Sequence, residues 1–405
     1  MFTYIVFFKE ECYYLLSKSP AEKKKDAAVH VFLSLMLIQQ HLQQFLSRTH
    51  TNHKTFHVFN LDSDQHSSPP LIKNSSNTSY RHRLLLVSAP TVGFISGLET
   101  YEYTISKQDK IEHMIYISKV DTTMTTEETR GVTRQLVLAY IASLPSNSTV
   151  FVFARAQPQY LFANSAKNTD KVILSDRDLV SWWLHTLNKA PNAEKGWWFV
   201  PGVEDESSAL IEIGARKRQW EAAFDWTYGS SYSPDAKAID VIPRFEDDAK
   251  ARFLKDHVDD DLSVKGFWEL LAFSEECGSG KITGFFELKV NGCVLEEKKA
   301  GKEKEKDDKF TEFWNKLMFL DFHNKESILS STQTAVKEIE KIYSKECEFE
   351  VTVEQSSPLE QTKSKQPVVN TLSSMQIKRK REQVNSKEAA VNTLSDSFIK
   401  RKKKL

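Results

Sequence analysis

The sequence predicts an α/β domain followed by a disordered, basic tail. Between about residues 26 and 354, segments with helical spacing of apolar residues alternate with segments rich in β-branched and aromatic residues. Beyond residue 355 the chain is polar and keeps neither periodicity. Residues 355–405 carry 12 Lys and Arg against 4 Asp and Glu, a net charge of +8. The other residues carry 43 Lys and Arg against 51 Asp and Glu, a net charge of −8. The overall net charge of zero is therefore the sum of an acidic region, residues 1–354, and a basic tail.

The composition of the chain excludes several classes of protein. A length of 405 residues allows two or three domains, or one large domain with appendages. With 40% hydrophobic residues and eight Trp, the chain can bury a sizeable core. The longest apolar run, 29–38, is too short to span a membrane, and the first residues lack the basic region and cleavage site of a secretion signal. We therefore expect a soluble, intracellular protein.

The cysteines favour a reducing compartment. Cys12, Cys277, Cys293 and Cys347 lie far apart and form no CxxC pair, so neither a zinc site nor a disulfide framework is indicated. The histidines show no spacing that suggests a metal site or a catalytic triad. We expect no metal cofactor.

The first half of the domain is predicted to contain a helix and then a group of strands. Apolar residues recur at helical spacing over 26–47, and Ser, Asn and Pro predict a loop over about 63–80. The stretch 82–120 is β-branched and aromatic with partial alternation, which predicts strands. After a polar loop, a helix is expected from about 130 to 144 and a strand from about 149 to 156.

The second half is predicted to contain further helices and three strands. A helix with Trp182 and Trp183 should bury one of these rings in the core and cover a rim with the other. Asn291 and Gly292 predict a type I′ hairpin turn between the preceding strand and residues 293–297, because such a turn needs positive φ at both central positions. The other predicted elements are helical segments at 241–258, 264–277 and 310–345 and strands at 282–290 and 346–354.

The tail contains an internal repeat. Residues 368–381 (VVNTLSSMQIKRKR) and 390–404 (AVNTLSDSFIKRKKK) share a short apolar segment that ends in a basic cluster. Two copies are too few for a solenoid. The repeat favours a nuclear-localisation signal or a motif that binds an acidic partner. A merely solubilising tail is the alternative.

One glycine-rich segment, 277–283 (CGSGKIT), resembles a phosphate-binding loop but lacks its required residues. A P-loop would need Gly in place of Glu275 and Ser or Thr in place of Ile282. We interpret the segment as a helix C-cap that leads into a strand.

A better candidate for phosphate binding is the strand, loop and helix of residues 115–144. The helix N-terminus offers free backbone N–H groups, and Gly131 permits the close approach of a ligand. Arg130 and Arg134 share one face of the helix at i, i+4 spacing. These features predict a site for an anion such as a pyrophosphate. An ordinary helix start is the alternative.

Three segments together carry a resemblance to a known family: 117–123 (ISKVDTT), 153–183 (FARAQPQYLFANSAKNTDKVILSDRDLVSWW) and 245–253 (FEDDAKARF). In order and spacing they resemble the fungal replication-coupled histone H3 acetyltransferases, which are chaperone-dependent and structurally akin to the CREB-binding-protein acetyltransferases. The resemblance covers about residues 45–290, and the basic tail is similar to that family's C-terminal segment. It implies an α/β acetyltransferase domain over 45–354 with a mixed central sheet flanked by helices, the tail at 355–405, and an uncertain N-terminal segment at 1–44.

The resemblance implies roles for particular residues. Asp247 and Asp248, which alone would be explained as carboxylates favoured at a helix N-terminus, match the family's essential acidic pair. Lys250 matches a buried, autoacetylated lysine. The implied catalytic residues are Asp121, Tyr160, Trp183, Asp247 and Asp248. The implied acetyl-CoA contacts are Val120, Asp121, Thr122, Arg130, Gly131, Val132, Thr133, Arg134, Phe153, Gln157, Val172, Ile173, Leu174 and Trp182.

The chemistry of acetyl transfer is consistent with these residue types. A pocket of Trp and Tyr desolvates the attacking lysine amine and lowers its pKa, while a carboxylate can orient the amine or accept its proton. We expect direct attack without a covalent acyl-enzyme, because Cys277 and Cys293 have no basic neighbours that would activate a nucleophile. Which carboxylate would act as the base stays open.

The chain departs from the family pattern at two places. Ala249 replaces the usual proline between the acidic pair and Lys250. Only residues 145–148 stand where the family has a long insertion that helps to contact the chaperone, which puts chaperone docking in doubt.

These inferences predict a nuclear histone acetyltransferase. It would move acetyl from acetyl-CoA to a lysine of newly synthesised histone H3, presented with H4 by a histone chaperone, during replication-coupled nucleosome assembly and the DNA damage response. We expect no membrane partner and no sequence-specific binding of nucleic acid. The alternatives are a catalytically idle histone- or chaperone-binding protein of the same fold and an acetyltransferase for a non-histone nuclear substrate.

Overall fold

The structure, a computed structural model, confirms the predicted α/β fold with a mixed central sheet flanked by helices. The predicted tail and its repeat lie outside the described part of the chain, as do Cys12, Cys293 and Asp247. The structure describes residues 26–49, 54–73, 78–107, 110–246, 248–257, 261–278, 280–292, 308–343 and 347–353.

Ten strands in the described ranges form a single sheet. They are β1 (Lys54–Asp62), β2 (His66–Ser68), β3 (Thr78–Ala89), β4 (Gly93–Lys107), β5 (Lys110–Thr122), β6 (Ser148–Ala154), β7 (Ala193–Phe199), β8 (Asp225–Tyr228), β9 (Gly284–Val290) and β10 (Glu348–Val353). Their order is β10-β1-β3-β4-β5-β6-β9-β7-β8, and β2 pairs with β3. The pairs β5–β6 and β7–β8 are parallel and the other pairs are antiparallel, so the sheet is mixed.

Most helices begin where the sequence supplies a capping side chain. Ser175, Asp205, Asp248, Ser263 and Asn324 each accept a hydrogen bond from a backbone N–H of the first helical turn. None of the helices in the described ranges has the length and apolar character of a membrane span. The helices are α1 (Asp26–Thr49), α2 (Val132–Ala142), α3 (Asp176–Leu187), α4 (Glu206–Glu212), α5 (Ala238–Val241), α6 (Ala249–Asp256), α7 (Val264–Leu271), α8 (Asp308–Phe319) and α9 (Lys325–Ile342).

The two faces of the sheet carry different cores. Along β6, Val150 and Val152 pack into the large core that α1, α2, α3, α8 and α9 complete. Phe151 belongs to an aromatic cluster on the other face, and Phe153 packs against that cluster and against the core around α5, α6 and α7. This alternation follows from the period of two in a strand, and it makes β6 a wall shared by both faces.

The hairpin predicted at Asn291 and Gly292 is wrong. At the end of β9, Val290 is paired with Ser148 of β6 on one edge and with Ala193 of β7 on the other. Both edges of β9 are therefore already paired, which leaves no free edge for a hairpin partner. Residues 293–297 themselves lie outside the described ranges. Pairing of β9 with strands that are distant in sequence therefore overrides the local turn signal.

Two further boundaries differ from the prediction. The expected loop at 63–80 contains β2 and the start of β3, which pair with each other. The helix predicted over 264–277 ends at Leu271, and turns follow it. The glycine-rich segment after Cys277 therefore leads into β9 without capping that helix.

Candidate active site

A cleft of about 350 Å³ opens at the carboxyl ends of β5 and β6. These two strands are parallel neighbours, and ligands of open α/β sheets bind beyond the carboxyl ends of such strands. The walls of the cleft come from parts of the stretches 117–122, 124–134, 152–160, 171–174 and 179–183.

The N-terminus of α2 forms one end of the cleft. Gly131 is its N-cap residue and has a φ of +84°, a conformation that glycine adopts without strain. No side chain caps this helix, so N–H groups of its first turn remain available to a ligand. An added Cβ on Gly131 would meet no atom within 4 Å, which leaves open space at this point.

Two arginines flank this helix start. Arg130 is exposed, whereas Arg134 is partly buried, and burial lowers its pKa, although a guanidinium stays protonated at neutral pH. Arg134 donates from Nε to Thr186 Oγ1 at 3.2 Å, and its guanidinium carbon lies 5.9 Å from the centre of a Trp182 ring. These contacts hold Arg134 as a fixed positive charge on the cleft wall.

Asp121 lies at the end of β5 and is almost wholly buried. Its Oδ2 accepts backbone N–H bonds from Tyr160 at 2.8 Å, Leu161 at 2.9 Å and Phe162 at 3.1 Å. Its Oδ1 accepts from the backbone N–H of Thr122 and from Lys171 Nζ, at 2.8 and 2.7 Å. Five donors saturate this carboxylate, so Asp121 is a structural anchor for the loop and not a free base.

Lys171 is a cleft residue that the sequence did not reveal. Its side chain is 4% exposed, and its Nζ donates hydrogen bonds to Asp121 Oδ1 and, at 2.8 Å, to Ser165 Oγ. It lies fifty positions from Asp121, a separation at which no local pattern indicates a pair. The next two residues, Val172 and Ile173, expose apolar side chains in the cleft, with 59% and 47% of their surface accessible. Lys171 therefore ties an apolar lip to the end of β5.

The aromatic end of the cleft consists of Tyr160, Trp182 and Trp183. Trp183 is 5% exposed and Trp182 is partly exposed, as the helical pattern predicted, and the two rings meet edge to face with centres 5.0 Å apart. The Tyr160 hydroxyl donates to the carbonyl of Arg155 and accepts from the backbone N–H of Gln157. Burial raises the pKa of Tyr160 to about 12, so this phenol is neutral at physiological pH.

Asp248 and Lys250 do not line this cleft. Asp248 is fully buried, caps α6 by accepting from the Lys250 backbone N–H, and places Oδ2 3.5 Å from Lys250 Nζ. Burial raises the pKa of Asp248. Lys250 Nζ lies 5.3 Å from the ring centres of Phe151 and Phe245.

Lys250 instead lines a separate cavity of about 30 Å³, called here the Lys250 chamber. The rings of Phe153, which lines the cleft, and Phe285, which lines the chamber, stack with centres 4.7 Å apart. The principal residues of the chamber are Phe151, Trp197, Phe199, Ser231, Lys250, Trp268, Phe285 and Glu287.

The cleft gathers most of the residues that the resemblance implied. Asp121, Tyr160 and Trp183 line it, and so do all the implied acetyl-CoA contacts except Val132. The Val132 side chain is buried in the core, because the apolar face of α2 turns toward the sheet. Cys277 does not line the cleft, and burial raises the pKa of its thiol. Among the described residues, no group of three or more His, Cys, Asp or Glu could hold a metal ion.

Comparison with known proteins identifies the family. The model of the histone acetyltransferase KAT11-type domain matches residues 42–144 and 135–337. A histone acetyltransferase rtt109 of Schizosaccharomyces pombe is 32% identical over 266 residues, which cover 58% of this chain and 67% of that protein. An rtt109 of Aspergillus flavus is 33% identical over 35% of this chain and 34% of its own length. An RTT109 of Candida albicans is 30% identical over 32% of this chain and 35% of its own length.

The fold agrees with this family. The crystal structure of Rtt109 from Aspergillus fumigatus covers 74% of this chain and 96% of its own, with a TM-score of 0.59 and 21% sequence identity. That likeness concerns the fold, while the family model spans most of this chain. The resemblance inferred from the sequence is thus confirmed: the chain belongs to the KAT11-type histone acetyltransferases, the family of the fungal Rtt109 enzymes, and is a histone lysine acetyltransferase.

Proposed function

We propose that this enzyme binds acetyl-CoA in the cleft and transfers the acetyl group to a lysine of newly synthesised histone H3, presented with H4 by a histone chaperone. The reaction takes place in the nucleus during replication-coupled nucleosome assembly and the DNA damage response. One observation carries the proposal: the cleft has an uncapped helix N-terminus with two arginines at α2 and an apolar lip at Val172 and Ile173. Acetyl-CoA has the same division between a charged pyrophosphate and an apolar arm.

The residues of the cleft suit the parts of acetyl-CoA. The free N–H groups after Gly131, with Arg130 and Arg134, would hold the pyrophosphate. The exposed side chains of Val172 and Ile173 would cover the pantetheine arm. The thioester then lies toward the aromatic end of the cleft.

The chemistry follows from the surroundings of that thioester. Tyr160 and Trp183 exclude water around the incoming lysine, and desolvation favours its neutral amine. The amine nitrogen attacks the thioester carbonyl, the C–N bond forms, the C–S bond breaks, and one amine proton ends on the departing thiol. Asp121 keeps the loop of Tyr160 in place, which fixes the geometry of attack.

The charge of the chain supports a basic protein substrate. Residues 1–354 carry a net charge of −8, which favours association with a histone over nonspecific association with DNA. The basic tail, 355–405, would serve nuclear import or contact an acidic chaperone surface.

Self-acetylation of Lys250 belongs to the same proposal. Lys250 is buried, lines a chamber with largely aromatic walls, and lies 3.5 Å from the Asp248 carboxylate. Asp247 and Asp248 remain proposed functional residues of this region. Asp248 acts there by holding Lys250 at the start of α6.

Labelled acetyl-CoA provides the test. The full chain is incubated with labelled acetyl-CoA, H3–H4 and a histone chaperone, with Arg134→Met as the cleft variant. Arg216→Met changes an exposed arginine outside the cleft and is the matched control. We expect H3 to be labelled by the wild type and the control. Arg134→Met should reduce labelling about tenfold or more through the loss of a charge-assisted contact with phosphate.

Other outcomes would change the conclusion. Preferential labelling of a histone other than H3, or of a non-histone protein, would contradict the proposed substrate. Binding of H3–H4 without binding of acetyl-CoA, and without labelling of any protein, would leave the catalytically idle histone-binding alternative.

A further inference from the structure

The Lys250 chamber contains a second carboxylate that the resemblance did not point to. Glu287, on β9, lines the chamber together with Lys250, and its Oε2 accepts a hydrogen bond of 2.6 Å from Ser231 Oγ. Asp248 approaches the same ammonium group from the start of α6. One buried ammonium thus lies among two carboxylates on different elements of the fold.

The charges around the chamber do not balance if every group is ionised. Burial raises the pKa of both Asp248 and Glu287, while the positive charge of Lys250 works in the opposite direction on each. Apart from Lys250 Nζ, Asp248 Oδ2 has no close polar partner in the described ranges. Both carboxylates therefore accept a proton more readily than an ordinary carboxylate does. Three other ionisable groups bear on these carboxylates. Tyr232 lines the chamber, and burial raises its pKa. The positive charges of Arg252, which pairs with Glu276, and of Lys289, which lies over Trp197, act to lower the pKa of Asp248 and of Glu287, respectively.

The chamber also has unfilled space beside the lysine. A volume of about 30 Å³ holds roughly two water molecules by the usual measure, or a group of similar size. Its walls are largely aromatic, from Trp197, Phe199, Trp268 and Phe285. A small, mostly apolar acetyl group suits such a space better than bound water does.

We propose that Glu287 is the proton acceptor for acetylation of Lys250 and that the chamber receives the resulting acetyl group. This rests on the proposed self-acetylation and names the base that it uses. The Lys250 ammonium gives one proton to the Glu287 carboxylate, directly or through one water. The neutral amine attacks the acetyl thioester, the C–N bond forms and the C–S bond breaks. The second proton leaves with the thiolate as free thiol.

This assignment explains why two carboxylates accompany one lysine. After acetylation Lys250 carries no charge, and a buried ionised carboxylate without a counter-ion is costly. Glu287 keeps the proton that the ammonium lost, so acetylation removes one positive and one negative charge together. The net charge of the chamber is then the same before and after acetylation.

The experiment measures acetylation of Lys250 in the full chain without histone, by peptide mass spectrometry between pH 6 and 9. Wild type, Glu287→Gln and Glu350→Gln are compared. Glu350 is an exposed glutamate on β10, outside the chamber, and serves as the matched control. Each protein is given either acetyl-CoA or S-acetyl-N-acetylcysteamine, a truncated thioester that lacks the pyrophosphate and does not depend on the α2 end of the cleft. Thermal unfolding verifies that each variant is folded.

We expect Glu287→Gln to slow acetylation of Lys250 by about 100-fold at pH 7 with both donors, the usual size of a general-base contribution. The difference in rate between Glu287→Gln and the wild type should become smaller as the pH rises, because hydroxide then removes the amine proton in place of Glu287. Glu350→Gln should match the wild type. A structural role for Glu287 would lower the rate equally at every pH.

Three results would overturn the inference: an unchanged rate in Glu287→Gln, a deficit independent of pH, or no acetylation of Lys250 in the wild type with either donor. Labelling of H3 by the same proteins, measured in parallel, separates this from the proposed function. If H3 is labelled while Lys250 is not, only this inference falls. If Lys250 reacts in a Glu287-dependent way while no histone is labelled, only the proposed histone activity falls.

Discussion

The buried pair of Asp121 and Lys171 joins the end of β5 to the segment that carries Val172 and Ile173, and removing the lysine should destabilise this side of the cleft. Replacing Lys171 with Met keeps the length and apolar stem of the side chain but removes the ammonium that bonds Asp121 and Ser165. Both members of the ion pair are nearly inaccessible, with 4% and 3% of their side chains exposed. The variant therefore leaves a buried carboxylate without its counter-ion.

The loss of stability in Lys171→Met depends on the hydrogen bonds that Asp121 keeps. Breaking a buried ion pair costs about 3–5 kcal/mol. The carboxylate still accepts four backbone N–H bonds, which places the cost at the lower end, about 3 kcal/mol. For a domain of this size the melting temperature should fall by about 6 °C. Because Lys171 adjoins the apolar lip, the KM for acetyl-CoA should rise about tenfold or more.

Thermal unfolding and initial rates against acetyl-CoA concentration measure the two effects. Lys167→Met, an exposed lysine in the same loop, is the matched control and should change neither quantity. The double variant with Asp121→Asn should be more stable than additivity predicts, by about 1–3 kcal/mol. The stabilising role of the pair is refuted if the free energies of unfolding of Lys171→Met and Lys167→Met differ by less than about 1 kcal/mol. It is also refuted if the effects of Lys171→Met and Asp121→Asn on that free energy are additive.

Three further predictions concern other parts of the fold. Burial acts to raise the pKa of Glu102, but Arg83 and Arg81 outweigh it and hold the pKa at about 2, against an ordinary 4.5. The ionised Glu102 carboxylate therefore contributes about 3 kcal/mol to the free energy of unfolding. This contribution is fully present above pH 4.5 and is lost as the pH falls toward 2. The difference in melting temperature between wild type and Glu102→Gln should be large at pH 7 and shrink between pH 5 and 2; a constant difference would contradict this assignment. Gly131→Ala should lower the free energy of unfolding by about 1–2 kcal/mol, because the φ of Gly131 is +84°. It should also weaken the binding of acetyl-CoA measured by calorimetry. An unchanged free energy of unfolding would show that the turn relaxes to accept alanine. Tyr160→Phe loses two backbone hydrogen bonds, so kcat should fall about tenfold while the pH–rate profile keeps its shape, since the pKa of Tyr160 is about 12; a changed profile between pH 6 and 9 would mean that the phenol titrates.

Local periodicity was sufficient to predict the elements that build the cleft. The helix predicted from 130 to 144 is α2, and the strand predicted from 149 to 156 is β6. In both, a single run of sequence defines the apolar face, and the core on that face preserves it. The start of α2, where anion binding stays a prediction, could be located for the same reason, since Gly131 and both arginines are close together in sequence.

Contacts between distant segments could not be predicted in the same way. Asp121 and Lys171 meet across fifty positions, and Glu287 reaches the chamber of Lys250 because β9 inserts between β6 and β7. Nothing in the spacing of these residues indicates the strand order that joins them. Val132 shows the opposite error: its neighbours in sequence line the cleft, yet the helical turn directs its own side chain into the core.

Under the proposed function, the electrostatics of the cleft indicate how a histone lysine would be activated. Among the described residues that line it, Asp121 is the single carboxylate, and it is saturated by five donors. Tyr160 is held neutral by its raised pKa and already hydrogen-bonds two backbone groups. The cleft would therefore contribute a water-excluding aromatic end and a fixed loop, and desolvation would carry the main part of amine activation. Lys250 differs because Asp248 approaches its amine to 3.5 Å and Glu287 lines the same chamber. The same fold would then activate its two lysines by different means, the substrate lysine by desolvation and its own lysine by a buried base.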